Sequence, residues 1–143
     1  MLTAHQTPTP RLPEAAIIAE RGLATAMIDV SDGLSADLGH LCDASGVGAR
    51  LWVEAIPIDA PTRRVATVLR EDPVSWALGG GEDYELLFTV PLQAADAIGD
   101  AVRRRTGTAV TVIGEILPAE EGRWLLFPDG RQLPLTPRGW THF

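Results

Sequence analysis

Apolar and polar positions alternate along the 143-residue chain with two different periods. Pro13 and Glu14 open a helix, with proline in the first turn and an acid near the positive end. Its apolar residues Ala15, Ile17 and Ile18 lead to a stop near Gly22. Residues 24–30 form an apolar run bounded by turn signals, which predicts a strand. Over residues 33–45, Leu34, Leu38, Leu41, Cys42 and Ser45 recur at helical spacing and define one face, closed by Gly46 and Gly48. Leu51, Val53 and Ala55 alternate in a strand over residues 49–56. A helix starts at Pro61, with Val65, Val68 and Leu69 as its apolar face, and a short helix follows over residues 73–78. Residues 84–90 are rich in strand formers and end at Pro91. The next helix sets Leu92, Ala95, Ile98 and Val102 on one face, with Arg103, Arg104 and Arg105 at its negative end as a solvated terminus and Gly107 as cap. Residues 109–116 read as a strand, and residues 123–127 and 131–135 flank the turn signal Pro128-Asp129-Gly130 as a hairpin.

Helices and strands alternate first and strands cluster later. This order predicts an α/β (α+β) fold, a mixed β-sheet with helices packed on it. Residues 1–12, with Pro8 and Pro10 and little periodicity, read as a tail or linker, and residues 13–143 as one domain. The length suits a single core.

Composition narrows the function. Twelve basic residues against 19 acidic ones give a net charge of −7, a poor match to nucleic-acid phosphates. Every basic residue is Arg, so a phosphate loop built on Lys and a lysine Schiff base are both excluded. Cys42 is the single cysteine, which rules out a disulfide framework and a multi-cysteine zinc site, and it reads as a buried, inert thiol. No apolar run approaches the ~18 residues of a membrane span. A cytoplasmic protein with neither membrane nor nucleic-acid partners is the expectation.

Three segments carry candidate chemistry. In Asp29-Val30-Ser31-Asp32-Gly33-Leu34 a strand ends, two acids flank a serine and a helix begins. Hard cations such as Mg²⁺ take oxygen ligands, and a helix start favours an anion. The turn can thus hold a metal on Asp29 and Asp32 and a phosphate oxygen on Ser31, or Ser and Asp can simply cap the helix. In Gly79-Gly80-Gly81-Glu82-Asp83-Tyr84-Glu85, glycines permit close backbone approach to a ligand, and clustered acids invite a cation. The same residues also suit a glycine-rich turn with a solvated acidic edge. The ending Gly139-Trp140-Thr141-His142-Phe143 offers aromatics for packing, or for stacking on a cationic heterocycle. His40 reads as an ordinary helix histidine.

Met27-Ile28-Asp29-Val30-Ser31-Asp32-Gly33-Leu34, followed by Asp37-Leu38-Gly39-His40-Leu41, resembles the second-domain motif of the thiamine-monophosphate kinase family. Gly80-Gly81-Glu82-Asp83-Tyr84-Glu85-Leu86-Leu87-Phe88, Ile113-Gly114-Glu115-Ile116 and the final five residues fit the same family. The acidic turn alone is shared with the wider superfamily of aminoimidazole-ribonucleotide synthetase and selenophosphate synthetase. The resemblance implies the C-terminal domain of an enzyme that phosphorylates thiamine monophosphate to thiamine diphosphate with ATP as co-substrate and Mg²⁺ as cofactor. It implies Asp29 and Asp32 as Mg²⁺ ligands, Ser31 as an ATP contact, Glu82 and Trp140 as substrate contacts, and no protein nucleophile. It also implies a missing N-terminal domain and a chain inactive by itself; the surface such a domain would cover is then left exposed, which points to self-association, expected as a homo-oligomer, a dimer. Two alternatives stand beside it: another ATP-dependent enzyme of the superfamily, and a non-catalytic nucleotide- or metal-binding module.

Overall fold

Among the described residues, two β-sheets and five α-helices carry the chain, and the acidic turn lies where a strand of one sheet feeds a helix. The computed structural model describes residues 8–136. Helix α1 (Leu12–Glu20) leads into β1 (Ala26–Val30), α2 (Leu34–Ser45) and β2 (Val47–Trp52). Helices α3 (Ala60–Leu69) and α4 (Pro73–Gly79) precede β3 (Glu85–Thr89) and α5 (Ala95–Thr106). Strands β4 (Gly114–Pro118), β5 (Arg123–Leu126) and β6 (Gln132–Pro134) close the described chain.

The expected mixed α/β architecture is present, with its strands divided between two sheets. β1 and β3 form an antiparallel pair, and the second sheet runs β4-β2-β5-β6. It is mixed, because β2 pairs antiparallel with β4 and parallel with β5. The hairpin expected around Asp129-Gly130 is β5–β6, with Gly130 at φ 83°. Two apolar clusters flank the β1–β3 pair. One gathers α2, β2 and α4 around Leu38, Cys42, Leu51 and Leu78. The other packs Ile17 and Ile18 of α1 against Ile98 and Val102 of α5. The apolar face expected on α2 is the buried one: Leu34, Leu38, Leu41 and Cys42 are all within the core.

Four local expectations are corrected. The strand expected over residues 49–56 gives way to a short 3₁₀ turn at Val53–Ala55. The strand expected over residues 109–116 is shifted to Gly114–Pro118, because the β2 ladder reaches only as far as Leu51 opposite Gly114. The Ile113 carbonyl still accepts the Trp52 N–H at 2.9 Å, and residues 109–112 have strand-forming side chains outside the ladder. Val65, Val68 and Leu69 do not form the inward face of α3: each is exposed, and Ala66 is that helix's buried residue. Leu92 is likewise exposed at 85%, because residues Leu92–Ala94 form a 3₁₀ turn that rotates it out of the α5 face.

Candidate functional site

β1 delivers Asp29 and Val30 to the turn, and α2 takes over at Leu34. Gly33, at φ 111°, occupies the N-cap position of α2, and no side chain caps the helix. Simple capping by Ser31 or Asp32 therefore does not account for these residues. The turn is organised from the helix side instead. Asp37 sends its carboxylate back, and Oδ2 accepts the N–H groups of Ser31 and Asp32, each at 3.0 Å. Asp37 is 2% exposed, and a buried carboxylate is tolerated when such donors satisfy it. Among the described residues, neither Ser31 Oγ nor the Asp32 carboxylate is engaged in a hydrogen bond, and both residues are half-buried. Their oxygens border the N-terminus of a helix of 12 residues, where unpaired N–H groups favour an anion.

Asp32, Asp37 and exposed His40 bring ligand atoms within 4.8 Å of one another, and no other group of three is found among the described residues. Asp29 is not in that group. It is exposed at the end of β1, and it pairs in register with Leu86, so it shares Leu86's face of the ladder while Val30 faces the α2 core. The turn thus offers two carboxylate positions, Asp32 within the group with Asp37 and His40 and Asp29 outside it. His40 also lines a shallow cleft of about 270 Å³ with Met27, Ile28 and Leu41.

The second segment comes to the same place. The loop between α4 and β3 lies against the turn: Glu82 N–H donates to the Ser31 carbonyl and Tyr84 N–H to the Val30 carbonyl, both at 2.8 Å. Glu82 and Tyr84 adopt φ values of 67° and 51°, unusual for residues with side chains. Both are exposed, so the loop presents them outward. At its far end, Arg11 clamps Glu85 with two hydrogen bonds, Nε to Oε2 at 2.9 Å and Nη2 to Oε1 at 2.7 Å. That pairing, the largest influence on the guanidinium, raises its pKa further. Glycines expected to admit a ligand here admit the chain's own backbone.

The structure therefore joins Ser31, Asp32 and Glu82 in one region, with Asp29 at its edge. Trp140, the remaining expected contact, lies outside the described residues. Sequence reasoning missed the buttress Asp37 and its neighbour His40. Their spacing of three on a helix, immediately after an acidic turn, was the available signal.

The chain matches the family model described as AIR synthase related protein, C-terminal domain, over residues 3–125, and it belongs to that family. It is similar to thiamine-monophosphate kinase of Salmonella typhimurium, with 40% identity over 144 residues, covering 100% of this chain and 42% of the relative. It is also similar to the solved structure "AaThiL complexed with AMPPCP and TMP", at 33% identity and TM-score 0.77, covering 99% of this chain and 40% of that one. Escherichia coli HypE, a hydrogenase maturation protein, shares the fold at 22% identity and TM-score 0.76, covering 89% of this chain and 39% of that one. This chain spans about two fifths of the length of the curated relatives it matches.

Proposed function

We propose that this chain is the C-terminal part of a thiamine-monophosphate kinase, which transfers the γ-phosphoryl group of ATP to thiamine monophosphate. The observation that carries the reading is the direct backbone contact between the acidic turn and the Glu82 loop, the two segments through which the sequence resembles that family. Similarity to thiamine-monophosphate kinases along the whole chain, and to a structure holding AMPPCP and TMP, supports the choice of substrates.

In this reading Ser31 and the start of α2 receive the nucleotide phosphates. Glu82 receives the acceptor, meeting the cationic thiazolium or the donors of the aminopyrimidine. Trp140 stacks on one of its rings. A phosphate oxygen of the acceptor attacks the γ-phosphorus in line, the bond from the γ-phosphorus to the β,γ-bridging oxygen breaks, and ADP leaves. No protein nucleophile is needed, because this transfer depends on positioning and charge neutralisation. Asp29 and Asp32 carry the hard carboxylate oxygens that would suit Mg²⁺; of the two, Asp32 lies in the compact group with Asp37 and His40, and Asp37 Oδ2 braces the backbone of Ser31 and Asp32. When bound, the cation neutralises phosphate charge.

The relatives' remaining length would carry the rest of the site, so the 143-residue chain is expected to lack turnover. The test is thiamine diphosphate formation from thiamine monophosphate and Mg-ATP, with this chain and the full-length protein run side by side. Turnover by the full-length protein alone is the expected result. A folded full-length protein that makes no thiamine diphosphate would refute the thiamine assignment and redirect the search to other phosphate acceptors.

A further inference from the structure

The turn and the loop meet backbone to backbone, at a separation that admits no side chain. A Cβ on Gly81 would lie 2.6 Å from the Ser31 carbonyl oxygen and 3.6 Å from Asp32 Cα. On the facing side, a Cβ on Gly33 would lie 3.1–3.2 Å from backbone atoms of Leu78, Gly79 and Gly80. None of these neighbours is the end of a flexible side chain that could swing away. The contact is tied at both ends. Glu82 and Tyr84 donate their amides to the turn, and the buried hydroxyl of Ser35 donates to the Leu78 carbonyl at 2.8 Å.

The distribution of glycine within the loop is informative. Left-handed φ values fall on Glu82 and Tyr84, which carry side chains, whereas Gly79, Gly80 and Gly81 have no positive φ. Gly81 is thus placed where the loop backbone meets the turn, not where φ alone would call for glycine, while Gly80 makes its own close approach to the Trp76 carbonyl oxygen. Gly81 answers a demand for proximity to Ser31.

We propose that residues 79–84 act as a positioning strap, with Gly81 setting the distance between the Ser31–Asp32 turn and Glu82. Since the kinase reading assigns the nucleotide to the first and the acceptor to the second, which this inference takes as its basis, the strap fixes the gap across which the phosphoryl group travels. Gly81 touches neither substrate and acts through Ser31 and Glu82. A change in that gap leaves each half-site able to bind its own ligand. It degrades the alignment of acceptor and phosphorus, where a displacement of about 1 Å can cost roughly 100-fold in rate.

The experiment is steady-state kinetics of Gly81→Ala and Ser35→Ala in the full-length protein, with urea midpoints measured alongside and amide exchange followed at Glu82 and Tyr84. For folded Gly81→Ala, kcat is expected to fall about 100-fold while both KM values stay within about three-fold of wild type. Ser35→Ala adds no bulk and carries the test if Gly81→Ala fails to fold. It should lower kcat by a smaller factor and speed exchange at both amides together. A folded Gly81→Ala with kcat within three-fold of wild type overturns the proposal. So does a tenfold rise in either KM, which would mark a damaged half-site in place of a widened gap. In the absence of a folded Gly81→Ala, unchanged kcat and exchange in Ser35→Ala overturn it. A wild-type protein that makes no thiamine diphosphate overturns the kinase reading, and the strap's assigned role with it.

Discussion

Asp37 supports the site by spending its carboxylate on two backbone N–H groups of the turn. Asp37→Ala leaves those donors unpaired in a part-buried setting and should lower stability by about 2–3 kcal/mol, read from the urea midpoint. Asp37→Asn retains the shape and one acceptor, and should lose about 1 kcal/mol. Midpoints equal to wild type for both variants would remove Asp37 from this role. Glu14 provides a residue-scale test by pH. The Thr108 hydroxyl, 2.6 Å from Glu14 Oε1, is the chief cause holding that carboxyl below the usual range, against the opposing effect of burial. A depressed carboxyl pKa in the folded state adds stability above the ordinary value of about 4.3, and that stability is lost as pH falls through the depressed value. The gap in urea midpoint between wild type and Thr108→Val should be full at neutral pH and close in the acid range. A gap that is constant from neutral pH into that range would contradict the assignment. Ser31, Asp32 and Glu82 were legible in the sequence because acids beside glycine at element ends stand out against an apolar background. The support from Asp37 was not, because a carboxylate reaching back five or six residues depends on how the strand enters the helix.

At the scale of the element, α3 shows how periodicity can mislead. Val65, Val68 and Leu69 satisfy the helical repeat, yet the core meets this helix through Ala66. Val68, 81% exposed, should tolerate replacement by Arg within about 0.5 kcal/mol. Ala66→Leu should cost about 1–3 kcal/mol, since the buried position has no room for the added carbons. Thermal melts of the two variants decide the matter, and the reverse order would put the valine face inward. A small buried residue gives a weak periodic signal, whereas three branched ones on the open side give a strong one. β4 illustrates a different limit. Residues 109–112 have the composition of a strand, but a strand exists only where a neighbour supplies donors and acceptors. Gly114 stands at the start of the ladder, where a Cβ would lie 2.2 Å from the Arg50 carbonyl oxygen, so the close approach of the two strands there requires glycine. Gly114→Ala should therefore destabilise the β2–β4 pairing by about 2–3 kcal/mol, and a urea midpoint unchanged from wild type would argue against so close a contact. Alternation, proline and glycine revealed α2 and the β5–β6 hairpin nearly as they stand, since each is defined by its own residues.

Across the whole molecule, the β1–β3 pair ties the two apolar clusters together and ends at the candidate site. Leu87 contributes to the α2 cluster, and Leu86 and Phe88 to the α1–α5 cluster. Destabilising either cluster should consequently reach the Ser31 turn through β1. The alternation of helices and strands made the mixed α/β architecture legible. The division of the strands into two sheets was not, because strand order is decided by contacts between distant parts of the chain. The α2 cluster also contains the chain's single thiol. Cys42 is 0% exposed, and burial, the main cause, raises its pKa. The sulfur sits at the floor of a cleft beside Asp43, Gly46 and Arg123, toward the C-terminal end of α2, so the rate at which a thiol-specific reagent labels it serves as a built-in clock for opening of the core at that end of the helix. Since the chain has no other cysteine, that clock runs in the unmodified protein, and it reads the α2 core separately from the turn at the helix's other end.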